Sequence, residues 1–269
     1  MLRLPAVAGH FYPAKPDALT SLVKECLGEQ RPQTTLKARA CLVPHAGLVY
    51  SGAVAGAVFS CLALPKKILL IGVRHYPQGA DQAILSEGAF RTPLGDVAID
   101  SALARALRTE CPALVEDALA HKQEHSLEVE LPFLQILDPG FTFVPIAIGT
   151  HDFAELIDTG EGIARVLADH AEEILIVTSS DLNHYEDDAT TCAKDQKAID
   201  QMLQVDAHGL LRVCREHHIS MCGLGPAIVM LTALQKLGAI NARLIRHATS
   251  GDINGDRSAV VGYAGLIFN

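Results

Sequence analysis

What most constrains this chain is a rhythm. Short aliphatic or β-branched runs, most of them without polar alternation, recur between longer segments with helical apolar spacing. The runs that read as strands are 38–43, 67–71, 141–148, 174–177, 243–248 and 259–268. Unbroken apolar runs suit strands covered on both faces by helices, the usual setting of a parallel sheet. The helical segments fall at 16–27, 51–62, 101–109, 126–137, 153–170, 189–204, 207–217 and 226–237. Asp100 and Asp152 stand where N-caps are expected, Pro226 lies in a first turn, and Gly238 follows the last of these segments as a stop. The alternation predicts an α/β protein with a mostly parallel central sheet flanked by helices. No Pro-, Ser- or charge-rich linker, low-complexity tract or repeat interrupts it, so one domain over 1–269 is expected.

Composition narrows the function classes. Of 269 residues, 49% are hydrophobic and 20% charged, enough for a sizeable core. The net charge of −9, with Lys and Arg scattered, gives no electrostatic footprint for nucleic acid. Seven cysteines form no CxxC pair and read as reduced thiols. The N-terminal residues contain no uninterrupted apolar stretch of signal-peptide length, and no window approaches the roughly 18–20 apolar residues that span a bilayer. A cytoplasmic protein without a membrane partner is expected.

The unusual polar residues sit at the ends of the predicted strands. His45 follows one in ACLVPHAG, His75 follows the next in ILLIGVRHYP, and Asp181 and His184 follow a third in ILIVTSSDLNHY. Ligands of open α/β sheets bind outside the carboxyl ends of the strands, so these residues can converge on one site. A lone histidine after a strand is ordinarily a solvated loop residue; three in the same topological position point to a shared site. His125, with Ser126, opens a predicted helix and can face the sheet edge, while Glu128 and Glu130 read as that helix's solvated face. Cys222 lies in a Gly-containing turn before a helix, a placement that lowers a thiol's pKa and suits thiolate ligation, although a buried inert cysteine is the commoner case.

Imidazoles with a thiolate form a coordination set suited to Fe(II), Zn or Cu, and His45, His75 and Cys222 can supply three ligands with open positions left over. His184 can then move protons, and Asp181 can fix the tautomer of one imidazole. Motifs for dinucleotide, P-loop, α/β-hydrolase and HExxH chemistry are absent. Ser179, Ser180, Asp181 and His184 are too close in sequence for an ordinary serine triad.

The segments PAVAGHFYPAKPDAL, VPHAGLVYSG, IGVRHY, FRTPLGD, EHSLEVELPFL, SSDLNHY and MCGLGPA, in that order, resemble the Memo family, whose prokaryotic members are called AmmeMemoRadiSam system protein B. The resemblance runs from about Leu4 to the last strand. It implies a fold similar to the class III extradiol dioxygenases and a pocket lined by His45, His75, His184 and Cys222 that is associated with iron or copper. Those dioxygenases use two histidines and a carboxylate, whereas the third position here is a cysteine. Where relatives often carry Pro-Ser-His-His, this chain has Val73, Arg74, His75 and Tyr76, and Arg74 can meet an anionic ligand or pair with an acidic neighbour. The family name also implies a functional link to a radical S-adenosylmethionine protein and an Ammecr-type protein.

The expectation is therefore a metal-dependent redox protein of the non-haem iron oxygenase type. His45, His75 and Cys222 hold the metal, with Fe(II) ahead of Cu or Zn, and His184, His125 and Asp181 serve catalysis. The first alternative is a non-catalytic module that binds a small molecule or peptide in the same pocket; the second is a metal-assisted hydrolase.

Overall fold

The computed structural model describes residues 1–28, 35–170, 173–238 and 241–269. Among these, the principal sheet is built from β1 (Ala40–Val43), β2 (Lys67–Val73), β3 (Gln82–Ile84), β4 (Val115–Glu116), β5 (Thr142–Ile148), β6 (Ile174–Ser179), β7 (His184–Glu186), β8 (Ala242–Thr249) and β9 (Val260–Phe268). The order is β9-β1-β6-β2-β5-β3-β4, with β7 and β8 both paired to β9. The four central strands β1, β6, β2 and β5 are parallel, as the unbroken apolar runs predict. The flanks differ. β9 runs antiparallel to β1, and β3 runs antiparallel to β5, so the whole sheet is mixed.

Successive side chains of a strand face opposite ways, and here each face meets a layer of helices. Cys41, Val43, Ile68 and Leu70 pack toward the helices Pro16–Leu27, Leu48–Cys61 and Leu131–Leu137. Ala40, Leu42, Leu69 and Ile71 pack toward Ser101–Glu110, Phe153–Asp169, Asp188–Leu203, Ala207–Glu216 and Leu224–Lys236. The last of these is apolar around its circumference and buries all ten residues from Gly225 to Leu234, as an interior helix must. Asp100 and Asp152 each cap a helix through two backbone N–H groups, and Gly238 adopts the left-handed backbone that ends the helix before it. No helix of the described residues is long and apolar enough to cross a membrane.

The short strands β3, β4 and β7 carry no apolar run long enough to announce them. Neither do the three strands of a separate small sheet, Leu2–Arg3, Ala89–Thr92 and Gly95–Ala98. The predicted helix over 126–137 is also divided: a 3-10 turn at Glu128–Glu130 leads into a helix only from Leu131.

Two registers position the site. Val43 of β1 pairs with Ser179 of β6, and Ile71 of β2 pairs with Thr178, so the three strands end at one level. His45, Asp181 and His75 each leave the sheet within two residues of a strand end. The segment 124–130 reaches this edge because Gly72 has no side chain: a Cβ there would stand 2.5 Å from Ser126 Oγ. Ser126 instead donates a 2.9 Å hydrogen bond to the carbonyl of Val73.

Candidate metal centre

The strand ends bring His45, His75 and His125 together, with one ring nitrogen of each lying within 4.8 Å of the other two. The rings of His75 and His125 stack at 4.5 Å, and His45 stands edge-on to both. Phe11, from the N-terminal segment, covers His125 at 4.7 Å. His45 is buried, His125 is half-buried, and His75 is the most open of the three.

Each ring is held from behind. His45 Nδ1 lies 2.5 Å from Ser179 Oγ, and its backbone N–H donates to Asp181 Oδ1 at 2.9 Å. His75 Nδ1 lies 2.9 Å from Glu124 Oε1, and its backbone N–H donates to the other oxygen of the same carboxylate at 2.6 Å. Glu124 also accepts the backbone N–H groups of His125 and Ser126. These hydrogen bonds, with the nearby histidines, outweigh burial and bring its carboxyl down to about 2. With both Nδ1 atoms engaged, Nε2 is the ligand atom that His45 and His75 have left for a metal, the arrangement found in metal-binding histidines.

Burial holds the His45 imidazole well below its ordinary range and brings His125 down to about 4. Both rings are therefore neutral near pH 7, the state that ligates a metal. His125 Nδ1 is buried and has no hydrogen-bond partner, an orphaned polar atom that a buried site ordinarily satisfies. Three imidazoles, two of them pre-oriented, fit a divalent ion of the imidazole-favouring group, which includes Fe, Cu and Zn.

Several expectations need correction. His125, assigned to catalysis from the sequence, belongs to the group that could hold a metal. Cys222 lies beside that group: its Sγ is 3.3 Å from His45 Nε2, but it does not come within 4.8 Å of all three rings. The expected low thiol pKa is reversed. Burial, reinforced by Asp181, pushes the Cys222 thiol far up, and the start of the following helix does not offset it. The turn that carries it approaches the sheet because Gly223 has no Cβ to meet Ser180.

Among the described residues, Asp181 makes no hydrogen bond to an imidazole ring. It accepts the backbone N–H groups of His45 and Ala46, and burial raises its carboxyl to about 6. His184 stands outside the three-histidine group, near enough for its charge to act on His45 and Asp181. Its Nδ1 lies 2.9 Å from the carbonyl of Ser220, which can only accept, so Nδ1 carries a proton. Arg74 pairs with Asp81 and the carbonyl of Gly79, the commoner of its two expected roles.

Glu128 and Glu130 do not form a solvated face; both are fully buried. Glu128 binds the Arg3 guanidinium and the Tyr12 hydroxyl, and accepts the backbone N–H groups of Ala6 and Val7. It thereby fastens the N-terminal segment that brings Phe11 over His125. A signal for this was present: residues two apart on a helix point roughly 200° away from each other, so 128 and 130 cannot share one wet face. Glu124, Ser179 and Ser220 were missed as orienting groups because their partners lie 49, 134 and 36 positions away in sequence.

The Memo-like protein family profile matches residues 3–267. A MEMO1 family protein of Methanopyrus kandleri is 37% identical over 280 aligned positions, covering all of this chain and 99% of its own length. One from Pyrobaculum arsenaticum is 38% identical with the same coverage, and one from Methanocaldococcus jannaschii is 38% identical, covering 99% of this chain and 98% of its own. Among solved structures, an uncharacterized protein from Escherichia coli K12 superposes with a TM-score of 0.53 over 86% of this chain and all of its own. At 13% identity, that likeness speaks for the fold alone. With residues 3–267 matched by the profile and the whole chain aligned to a relative above 30% identity, the chain belongs to the Memo family.

Proposed function

We propose that this protein is a metal-dependent oxidoreductase of the non-haem iron oxygenase type, with His45, His75 and His125 as the metal's nitrogen donors and Cys222 beside His45 as a reserve donor. The observation that carries the reading is the cluster of three imidazoles at parallel strand ends, with the Nδ1 atoms of His45 and His75 engaged by Ser179 and Glu124. A bound divalent ion would supply Lewis acidity and, if redox-active, an electron route to dioxygen. The protein's own groups do the rest. Glu124 fixes the His75 ring, Ser179 fixes the His45 ring, and Phe11 shields His125 from water. His184, its Nδ1 proton held by the Ser220 carbonyl, takes a proton from a bound ligand at Nε2. Tyr76 and Tyr185, exposed and adjacent in the chain to His75 and His184, offer aromatic contacts to a small-molecule or peptide ligand.

Anaerobic purification followed by metal analysis tests the reading. Wild type is expected to retain or bind Fe(II) in near-equal stoichiometry, with the largest losses in His45→Ala and His75→Ala. Comparing His125→Ala with Cys222→Ser identifies the third donor. Equal, negligible metal in wild type and His45→Ala overturns the proposal. Oxygen consumption that depends on an added substrate and disappears in His184→Ala separates an enzyme from a binding module.

A further inference from the structure

Behind His45 the contacts do not end at Ser179. Ser179 Oγ donates onward to Glu130 Oε1 at 3.4 Å, a loose second link that completes a chain from the His45 ring to a fully buried carboxyl. Glu130 Oε2 has no hydrogen-bond partner, and no basic side chain forms an ion pair with Glu130 among the described residues. Asp181 and the Cys41 thiol are the titratable groups whose charge acts on it or is acted on by it. A buried carboxylate without a cation is strongly disfavoured, so the group is held as the neutral acid. Burial and Asp181 both act in that direction.

We propose that Glu130 is a positioning residue of the metal centre: through Ser179 Oγ it keeps the His45 proton on Nδ1 and leaves the Nε2 lone pair free for a metal. The direction follows from donors and acceptors. In the structure the Ser179 hydroxyl points to Glu130 Oε1, and a hydroxyl that gives its one proton there accepts from His45 Nδ1. A neutral Glu130 that donated to Ser179 instead would reverse the chain and protonate His45 on Nε2, the result that overturns the proposal. This arm is uncharged, unlike the Glu124 carboxylate behind His75, so it orients the ring without making it more basic. The inference rests on the metal-binding reading above, but the proton placement can be read without metal.

The closing experiment has two arms. In metal-free protein, nitrogen-15 NMR is expected to show His45 protonated on Nδ1 in wild type and as a tautomer mixture in Ser179→Ala. Carbon-13 labelling of glutamate carboxyls is expected to show one protonated carboxyl at pH 8, missing in Glu130→Gln. In Zn(II) titrations, Glu130→Met and Ser179→Ala are expected to weaken binding at least about tenfold, the lower range for losing an orienting partner. Glu130→Gln, neutral and able to accept from Ser179, should restore most of the affinity lost in Glu130→Met. Loss in Glu130→Gln equal to that in Glu130→Met would mean an ionised group is needed, and overturns the proposal. So would an Nε2-protonated His45 in wild type. A wild type that binds no Zn(II) would sink the metal reading, while the NMR arm still decides the tautomer. If Glu130→Met fails to fold, Ser179→Ala and the labelled carboxyl decide alone.

Discussion

The two sides of the histidine cluster rest on opposite electrostatic designs. Behind His75, Glu124 is an ionised carboxylate surrounded by donors: two backbone N–H groups beyond His75, the His75 backbone and the His75 ring. Behind His45, Glu130 is only six residues further along the chain, yet it has one loose contact and no donor at its second oxygen. The same side chain, out of solvent in both places, is pushed toward opposite protonation states: hydrogen bonds and the nearby histidines lower Glu124, while burial and Asp181 raise Glu130. Burial alone does not tell what a buried acid does. Its hydrogen-bond partners and the charges beside it decide, and environments that push two acids apart are how a site assigns separate roles.

Variants of the glutamates on this segment break the comparison at different strengths. The largest effect is expected from Glu128→Ala, which strands the buried Arg3 guanidinium and releases the N-terminal segment. A loss of about 3–5 kcal/mol in unfolding free energy is expected from chemical denaturation. A loss below about 1 kcal/mol would show that the segment is held by its apolar contacts.

Glu124→Gln comes next and has a defined pH signature. The folded carboxyl, at about 2, lies below its ordinary value of 4.5, so its stabilising contribution is present above pH 4.5 and lost as pH falls toward 2. A destabilisation of about 3 kcal/mol at pH 7 follows from that shift. Denaturation at pH 7 and near pH 3 should show the gap between wild type and variant narrowing. Metal affinity should fall roughly 10–100-fold as the His75 ring loses its orienting carboxylate.

For Glu130→Gln the sign reverses. A carboxyl raised in the folded state favours folding below its unfolded value and loses that contribution as pH rises, so the amide should be relatively more stable at pH 8 than at pH 4. A variant that gains nothing from pH 4 to pH 8 would mean Glu130 is ionised in the native protein, and the two arms would then be alike. The baseline is the exposed pair Lys37–Glu173, with both side chains at least two-thirds accessible. Glu173→Ala is expected to change stability by less than about 0.5 kcal/mol in the same denaturation experiment.

The parallel core was legible because β1, β2, β5 and β6 are buried on both faces and write that burial into their sequences as unbroken apolar runs. Placing His45, His75 and Asp181 at one edge followed from the same pattern. The strands β3, β4 and β7 were not legible: with two or three residues each, they owe their conformation to pairing with neighbours. Segment 124–130 was misread for a related reason. A polar residue looks the same in sequence whether water or a buried guanidinium satisfies it, and Arg3 lies 125 positions from Glu128. Cys222 fits the same account. Its helix-start placement predicts an activated thiol, but the packing of Asp181 and the strand ends around it decides otherwise.

By itself, the sequence determined the α/β class, the family through its ordered motifs, and the placement of His45 and His75 at neighbouring strand ends. Tertiary structure alone decided that His125 joins His45 and His75, that Glu124 and Ser179 hold their rings, and that neighbouring glutamates are pushed in opposite directions. The physical reason is range. Apolar periodicity is a local consequence of burial and survives in one dimension, whereas ligand geometry and pKa depend on distances of a few ångströms between residues far apart in the chain.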